Sequence, residues 1–407
     1  MEVPLEERGK NFFSYKDIIY CFSIAIYCSN FLDIGSYIPI IFLPYITYYI
    51  FKNRFNRVFY ATSFVLLFFS IIYASMLYFY KFATLPAIIG RVYYPICFYI
   101  LGDMLVKNDY HYKKTFRYFY LIIVSSTMYG FLSLIKTIWL YGDMTSAIES
   151  EGRMVINLWG NNVISATGMN AYISLGLGLL PICFLSDKYK SQKLKIVSII
   201  CFSAAVYTTL NLGNRTGLAI IILSSLMVIV FTGKIGMKKI LRLILIIFYL
   251  LILYILYIQN FFGVKNAWEN TLMYSRFTTS DLGDDPRFTA WKSTFMGLFE
   301  NPLGGRQTNI EIGYAHNLWL DIGYDVGILP NILLMIFTLI SIISVMSFIT
   351  LEHPMFVKGL IIALYTSFFI TFFVEPILQG LVDYFTFFCF VVGAIQRLNY
   401  DFKRLKF

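Results

Sequence analysis

Charged side chains are what this sequence has least of. They make up 14% of its 407 residues, against roughly a quarter in an ordinary soluble chain. With 58% of the residues hydrophobic, there is too little polar surface to cover a water-soluble ball. Histidine is scarcer still, with three in the whole chain. The six cysteines, Cys21, Cys28, Cys97, Cys183, Cys201 and Cys389, all lie inside apolar runs. Their spacing is that of no metal-ligand set, and buried apolar packing is their ordinary reading. The sequence holds no phosphate-binding glycine loop and no serine-hydrolase elbow. It also lacks a repeat of ~20–50 residues and any low-complexity tract. Met1 to Lys10 is charged and has no cleavable signal pattern, so the first apolar run is expected to be a retained helix.

What the chain does have is apolar runs of about the ~20 residues that cross a bilayer core. They fall at about 17–33, 37–51, 58–80, 83–106, 117–138, 165–185, 195–212, 216–232, 243–262, 318–346, 356–375 and 380–396. The expected fold is therefore all-α: a polytopic helix bundle of about twelve transmembrane spans, forming one domain over residues 1–407. The second run is short and carries Pro39 and Pro44. The run at 318–346 is long enough to begin in an outer vestibule or to tilt.

The formal net charge of +10 does not collect on one module, which argues against nucleic acid as a partner. The basic residues cluster instead in every second loop. The clusters are Lys52, Arg54 and Arg57; Lys107, Lys113, Lys114 and Arg117; Lys188, Lys190, Lys193 and Lys195; Lys234, Lys238, Lys239 and Arg242; and Arg397, Lys403, Arg404 and Lys406 at the end. The positive-inside rule makes these loops and both termini cytoplasmic. Two outward loops are then long, 139–164 and 263–317, and long ordered loops usually carry function. Within the larger one, Asp284-Asp285-Pro286-Arg287 reads as a helix start. Phe288, Trp291, Phe295, Leu298 and Phe299 follow at helical spacing, and Asn301-Pro302 ends the helix. Such an amphipathic helix lies either on the outer leaflet or on the bundle.

Few residues in this chain can carry chemistry. His111 and His353 fall in expected cytoplasmic loops, which leaves His316 as the outward histidine. It can be an interfacial anchor, or a general base or activating hydrogen-bond partner. Arg215 stands in the tight outer turn Asn211-Leu212-Gly213-Asn214-Arg215-Thr216-Gly217. It can be a snorkelling or paired cation, or a planar fork for phosphate. Arg276, Arg287 and Arg306 in the large loop and Arg153 in the other give the outer face an unusual excess of arginine. Converging on one cavity, they would hold a polyanion such as a pyrophosphate. Arg91 inside the fourth run and Lys136 near the outer end of the fifth suit internal pairing or the lining of a pathway. Asp281, Asp284 and Asp285 could attract a divalent ion, but Asp285 fits a helix cap and the others fit turns, so no metal and no cofactor is expected.

Arg287 with Trp291, Asn301-Pro302-Leu303-Gly304-Gly305, His316-Asn317 with Leu320, and Gly327-Ile328-Leu329 together resemble the signature block of the O-antigen polymerase and O-antigen ligase superfamily. Asn214-Arg215-Thr216-Gly217 is similar to that family's arginine turn. The resemblance covers 287–329 and 211–217; elsewhere it extends only to hydropathy. It departs at Pro330, where the family often has glycine, and a bend in the tenth span is expected there. The resemblance implies a metal-independent glycosyltransferase of the bacterial inner membrane, acting at the periplasmic face on oligosaccharide carried by undecaprenyl diphosphate. It implies His316, Arg215 and Arg287 as catalytic residues, the same residues that the chemistry of the outer face selects; Arg276, Arg306, Asn317, Arg153 and Arg91 are expected around the substrate. Membrane lipid and a chain-length regulator protein are the implied partners. Polymerisation of repeat units is the favoured activity, and ligation of the glycan to lipid A-core shares its donor and chemistry. A flippase should spread charge along several spans and show two related halves. A metal-dependent polyprenyl-phosphate glycosyltransferase should carry acidic pairs in the first outer loop, where this chain has Asp33 alone.

Overall fold

The computed structural model describes residues 15–142, 153–185, 191–232, 263–279 and 285–406, with Ser146, Ile255 and residues 258–260 between them. The expected ninth span, 243–262, lies almost wholly outside the described residues, as do Lys188, Lys190, Lys234, Lys238, Lys239 and Arg242.

The first half of the chain forms α1 (Tyr15–Cys28), α2 (Ile38–Lys52), α3 (Arg57–Phe79), α4 (Leu85–Leu105) and α5 (Lys113–Tyr141). A short hairpin follows, β1 (Met154–Ile156) paired antiparallel with β2 (Val163–Ser165). Next come α6 (Ala166–Leu177), α7 (Leu180–Phe184), α8 (Gln192–Leu212) and α9 (Arg215–Phe231). The large loop contributes α10 (Val264–Glu269), α11 (Leu272–Thr279) and α12 (Pro286–Glu300). The last third is α13 (Leu318–Val326), α14 (Ile328–Thr350), α15 (Met355–Val374), the short α16 (Ile377–Gly380) and α17 (Val382–Lys406).

Seven helical stretches among the described residues are long and apolar enough to cross a membrane: α3, α4, α5, α6 with α7, α8, α14 and α15. The protein is an all-α membrane helix bundle. At its centre stands α17, with Phe385, Phe387, Phe388, Phe390, Val392 and Ile395 all buried. It crosses α4 backbone to backbone. A Cβ on Gly102 would sit 2.0 Å from the Phe390 carbonyl oxygen, and one on Gly393 would sit 2.0 Å from that of Tyr99. Without a strong hydrophobic force between helices in lipid, such small residues allow the close packing that holds a bundle together.

Polar contacts sort the loops into two ends. At one end, Trp159 donates to the Ser29 carbonyl at 2.7 Å and Asn157 to Asp33 at 2.8 Å. Tyr80 donates to the Leu303 carbonyl at 3.0 Å, and Arg153 to that of Leu212 at 2.8 Å. The large loop lies at this end. At the other end, Arg397 grips Asp401 at 2.8 Å, Tyr49 donates to Asp103 at 2.6 Å, and Asn108 N–H donates to Asp401 at 2.8 Å. The basic clusters that the structure describes sit at this second end.

The run at 318–346 is not one tilted helix. It breaks at Gly327, whose φ of +93° no other residue type tolerates well. Pro330 does not cause the bend. It lies in the first turn of α14, where a missing N–H costs little. The break exists because loop 301–306 is clamped onto the end of α13: Ile328 N–H donates to Pro302 at 2.8 Å, and Gly305 N–H to Asp325 at 3.0 Å.

Candidate functional site

Arg215 is placed by a turn of two residues. Gly213 (φ +60°) ends α8 in the left-handed conformation, and Asn214 caps α9 by accepting from Thr216 N–H at 3.1 Å. Arg215 is therefore the first residue of α9. Its guanidinium donates to the Arg276 carbonyl and lies 5.3 Å from the Phe277 ring centroid. Arg276 in turn donates to the Gly213 carbonyl at 2.8 Å, and Arg153 to that of Leu212 at 2.8 Å. The carbonyl end of α8 thus gathers Arg153 and Arg276 around the turn, as a helix C-terminus favours cations. Burial lowers the pKa of Arg153 to about 10, with Arg276, Arg287 and Arg215 pushing the same way. Burial likewise lowers Arg276, aided by Arg215 and Arg287.

Arg287 arrives from α12. Asp285 caps that helix by accepting from Arg287 N–H at 3.0 Å, with Pro286 at the first helical position, as the sequence predicts. The charge of Arg287 acts on Arg153, Arg276 and His316. Arg287 is thus the link between two groups, acting on the arginines around the α8–α9 turn and on the histidine.

His316 occupies a strained position, with φ +56°. The carboxylate of buried Asp321 holds it there, accepting from Ala315 N–H at 2.7 Å and from Asn317 N–H at 3.0 Å. From above, Trp291 of α12 donates its indole N–H to the Ala315 carbonyl at 2.7 Å. The Asn317 side chain caps α13 by accepting from Leu320 N–H at 3.2 Å. Asn317, expected around the substrate, is buried and serves here as a helix cap. Burial lowers the His316 pKa to about 4; Arg287 adds to this and Asp285 opposes it. The ring is neutral at physiological pH. Its buried Nδ1 has no hydrogen-bond partner among the described residues.

Arg306 and Arg91 gather elsewhere, around Asp325. Arg306 pairs with Asp325 at 2.7 Å, between the rings of Phe82 at 4.1 Å and Tyr314 at 5.0 Å. The other Asp325 oxygen accepts from Gln379 at 2.8 Å. Arg91 lies within electrostatic range of Asp325 and donates to the Ala87 carbonyl at 3.3 Å. Lys136 binds the carbonyls of Asn157 at 2.9 Å and Gly160 at 2.5 Å, which fixes the hairpin loop. Asp281 and Asp284 lie outside the described residues.

Sequence reasoning missed two residues. Asp321 stood beside the histidine without a role. Glu375 follows the last residue of α15, fully buried, in the field of Arg287 and Arg153. The available signal was its isolation: it is the one acidic residue between Glu352 and Asp383, and an ionisable group at the rim of an apolar run is a functional candidate.

No protein-family model matches the chain, and no curated protein resembles it closely enough to count as a relative. The fold and the site together define a class: a helical membrane protein that presents four arginines and a neutral histidine at one end of its bundle.

Proposed function

We propose that this protein is a metal-independent glycosyltransferase that polymerises undecaprenyl-diphosphate-linked oligosaccharide repeat units into a surface polysaccharide. On this reading it sits in the bacterial inner membrane with twelve spans, both termini cytoplasmic and the arginine end periplasmic. The observation that supports it best is the gathering of Arg153, Arg215 and Arg276 around one turn, with Arg287, from a distant part of the chain, acting both on that group and on His316. Such a group suits a leaving diphosphate better than any neutral ligand, because fixed donors aimed at developing negative charge lower the barrier most.

In the reaction, an acceptor hydroxyl oxygen bonds to the anomeric carbon of the donor sugar. The bond from that carbon to the diphosphate oxygen breaks, and its electron pair leaves with the diphosphate into the field of Arg215 and Arg287. The hydroxyl proton passes to the imidazole of His316. A base this weak still serves, because the hydroxyl becomes strongly acidic as its oxygen bonds to carbon. Arg276 and Arg153 hold the turn that carries Arg215 and add positive potential.

Complementation of a strain lacking the gene tests the assignment. His316→Ala should lower polymer synthesis on the order of 10²–10⁴-fold. Arg215→Lys should be comparably damaging, since a point charge does not reproduce the planar fork. Both proteins should still insert in the membrane at normal levels. Normal polymer from either variant contradicts the mechanism.

A further inference from the structure

Beneath the arginines lies a carboxyl group for which the proposed reaction has no use. Neither oxygen of Glu375 has a hydrogen-bond partner among the described residues, and the side chain is wholly buried. A carboxylate removed from water in this way normally accepts two or three hydrogen bonds or is neutralised. The floor around it offers little. Tyr384 links Ser174 of α6, at 2.7 Å, to Thr371 of α15, at 3.3 Å. One helical turn nearer the loop end, Asn170 lies on α6 and Glu375 directly follows α15. Asn170 is also fully buried, and both polar atoms of its amide are without a partner among the described residues. The charged groups that act on Glu375 are Arg287 from α12 and Arg153 from the segment before β1.

We propose that Glu375 is a positioning residue that acts through Arg153 and Arg287: ionised, it competes with the donor diphosphate for their charge, so that diphosphate binding is accompanied by protonation of Glu375. This rests on the reading of the arginine cluster as the diphosphate site. Burial raises Glu375 to about 8, and Arg287 and Arg153 draw it back down. Near pH 7 it is mostly neutral and leaves both arginines free for the donor. Above pH 8 it ionises and must take up a proton before or during binding. His316, neutral well above pH 4, contributes no charge change in this range.

The test is binding of P1,P2-dimethyl diphosphate, an anion fully ionised throughout the range, to the whole protein in lipid nanodiscs. For one linked proton, wild-type affinity should fall about tenfold between pH 7 and pH 9. Glu375→Gln should bind as tightly at pH 9 as at pH 7. Calorimetry on the wild type alone, at pH 8.5 in two buffers of different ionisation enthalpy, should show uptake of most of one proton per diphosphate bound. Equal pH slopes in the two proteins, or binding without proton uptake, overturns the proposal for Glu375 alone. Absence of diphosphate binding to either protein overturns it together with the reading beneath it.

Discussion

His316 combines three constraints in one residue: a left-handed backbone, a buried ring and a nearby guanidinium. Strain of that kind costs about 1–3 kcal/mol and persists only where surrounding contacts over-determine it. Here Asp321 and Trp291 supply those contacts. The sequence marks His316 as the lone outward histidine but carries no trace of its titration, which depends on burial and on Arg287, 29 positions away. The ordinary histidine pKa would suggest an acid limb near neutrality. Burial lowers it to about 4, so protonation, and with it loss of the accepting nitrogen, should come only at lower pH. Polymerisation rates with saturating donor should stay level from pH 8 to about pH 5 and fall below that. A half-maximal rate at pH 6 to 7 on the acid side would show that an ordinary, solvated imidazole carries the step.

At the scale of elements, α12 shows what periodicity conveys and what it omits. Its start, cap and end follow the local signals in Asp285-Pro286 and Asn301-Pro302. The expected single apolar face divides. Leu298 and Ala290 are buried, and Trp291 reaches the histidine loop, whereas Phe288, Phe295 and Phe299 are exposed. Helical spacing groups these side chains but does not say which neighbour each will meet. The glycines of the following loop are legible only in space. A Cβ on Gly304 (φ +75°) would lie 2.3 Å from the Gly327 nitrogen, whereas one on Gly313 (φ +70°) would meet nothing within 4 Å. The backbone cost of a side chain is similar at both, about 1–2 kcal/mol, but only Gly304→Ala must also pry the loop from α13. Gly304→Ala should therefore lower the thermal midpoint clearly more than Gly313→Ala, measured in nanodiscs. Equal shifts would mean that the clamp between residues 302–305 and α13 contributes nothing.

Across the whole molecule, the seven spans among the described residues were the most legible feature, because each needs only a continuous apolar run. The break at Gly327 was not legible, since it is imposed by a loop that folds back from 20 residues earlier. Nor was the division of the arginines. Arg153, Arg215 and Arg276 meet at the turn between α8 and α9, with Arg287 of α12 acting on Arg153 and Arg276, while Arg306 and Arg91 are drawn to Asp325, and no local pattern records either outcome. In the proposed orientation, cysteines placed at positions 190 and 238 should be protected from an impermeant thiol reagent in intact cells, and one at 309 should react. Labelling at 190 would invert the bundle and put the arginine end in the cytoplasm. The most direct test of the arginine cluster as a metal-free diphosphate site is release of undecaprenyl diphosphate by purified protein in liposomes given a lipid-linked oligosaccharide and EDTA. The wild type should release it in EDTA, and Arg287→Lys should do so at least tenfold more slowly. Release that stops in EDTA and returns with magnesium or manganese, or that is unchanged in Arg287→Lys, would contradict the account.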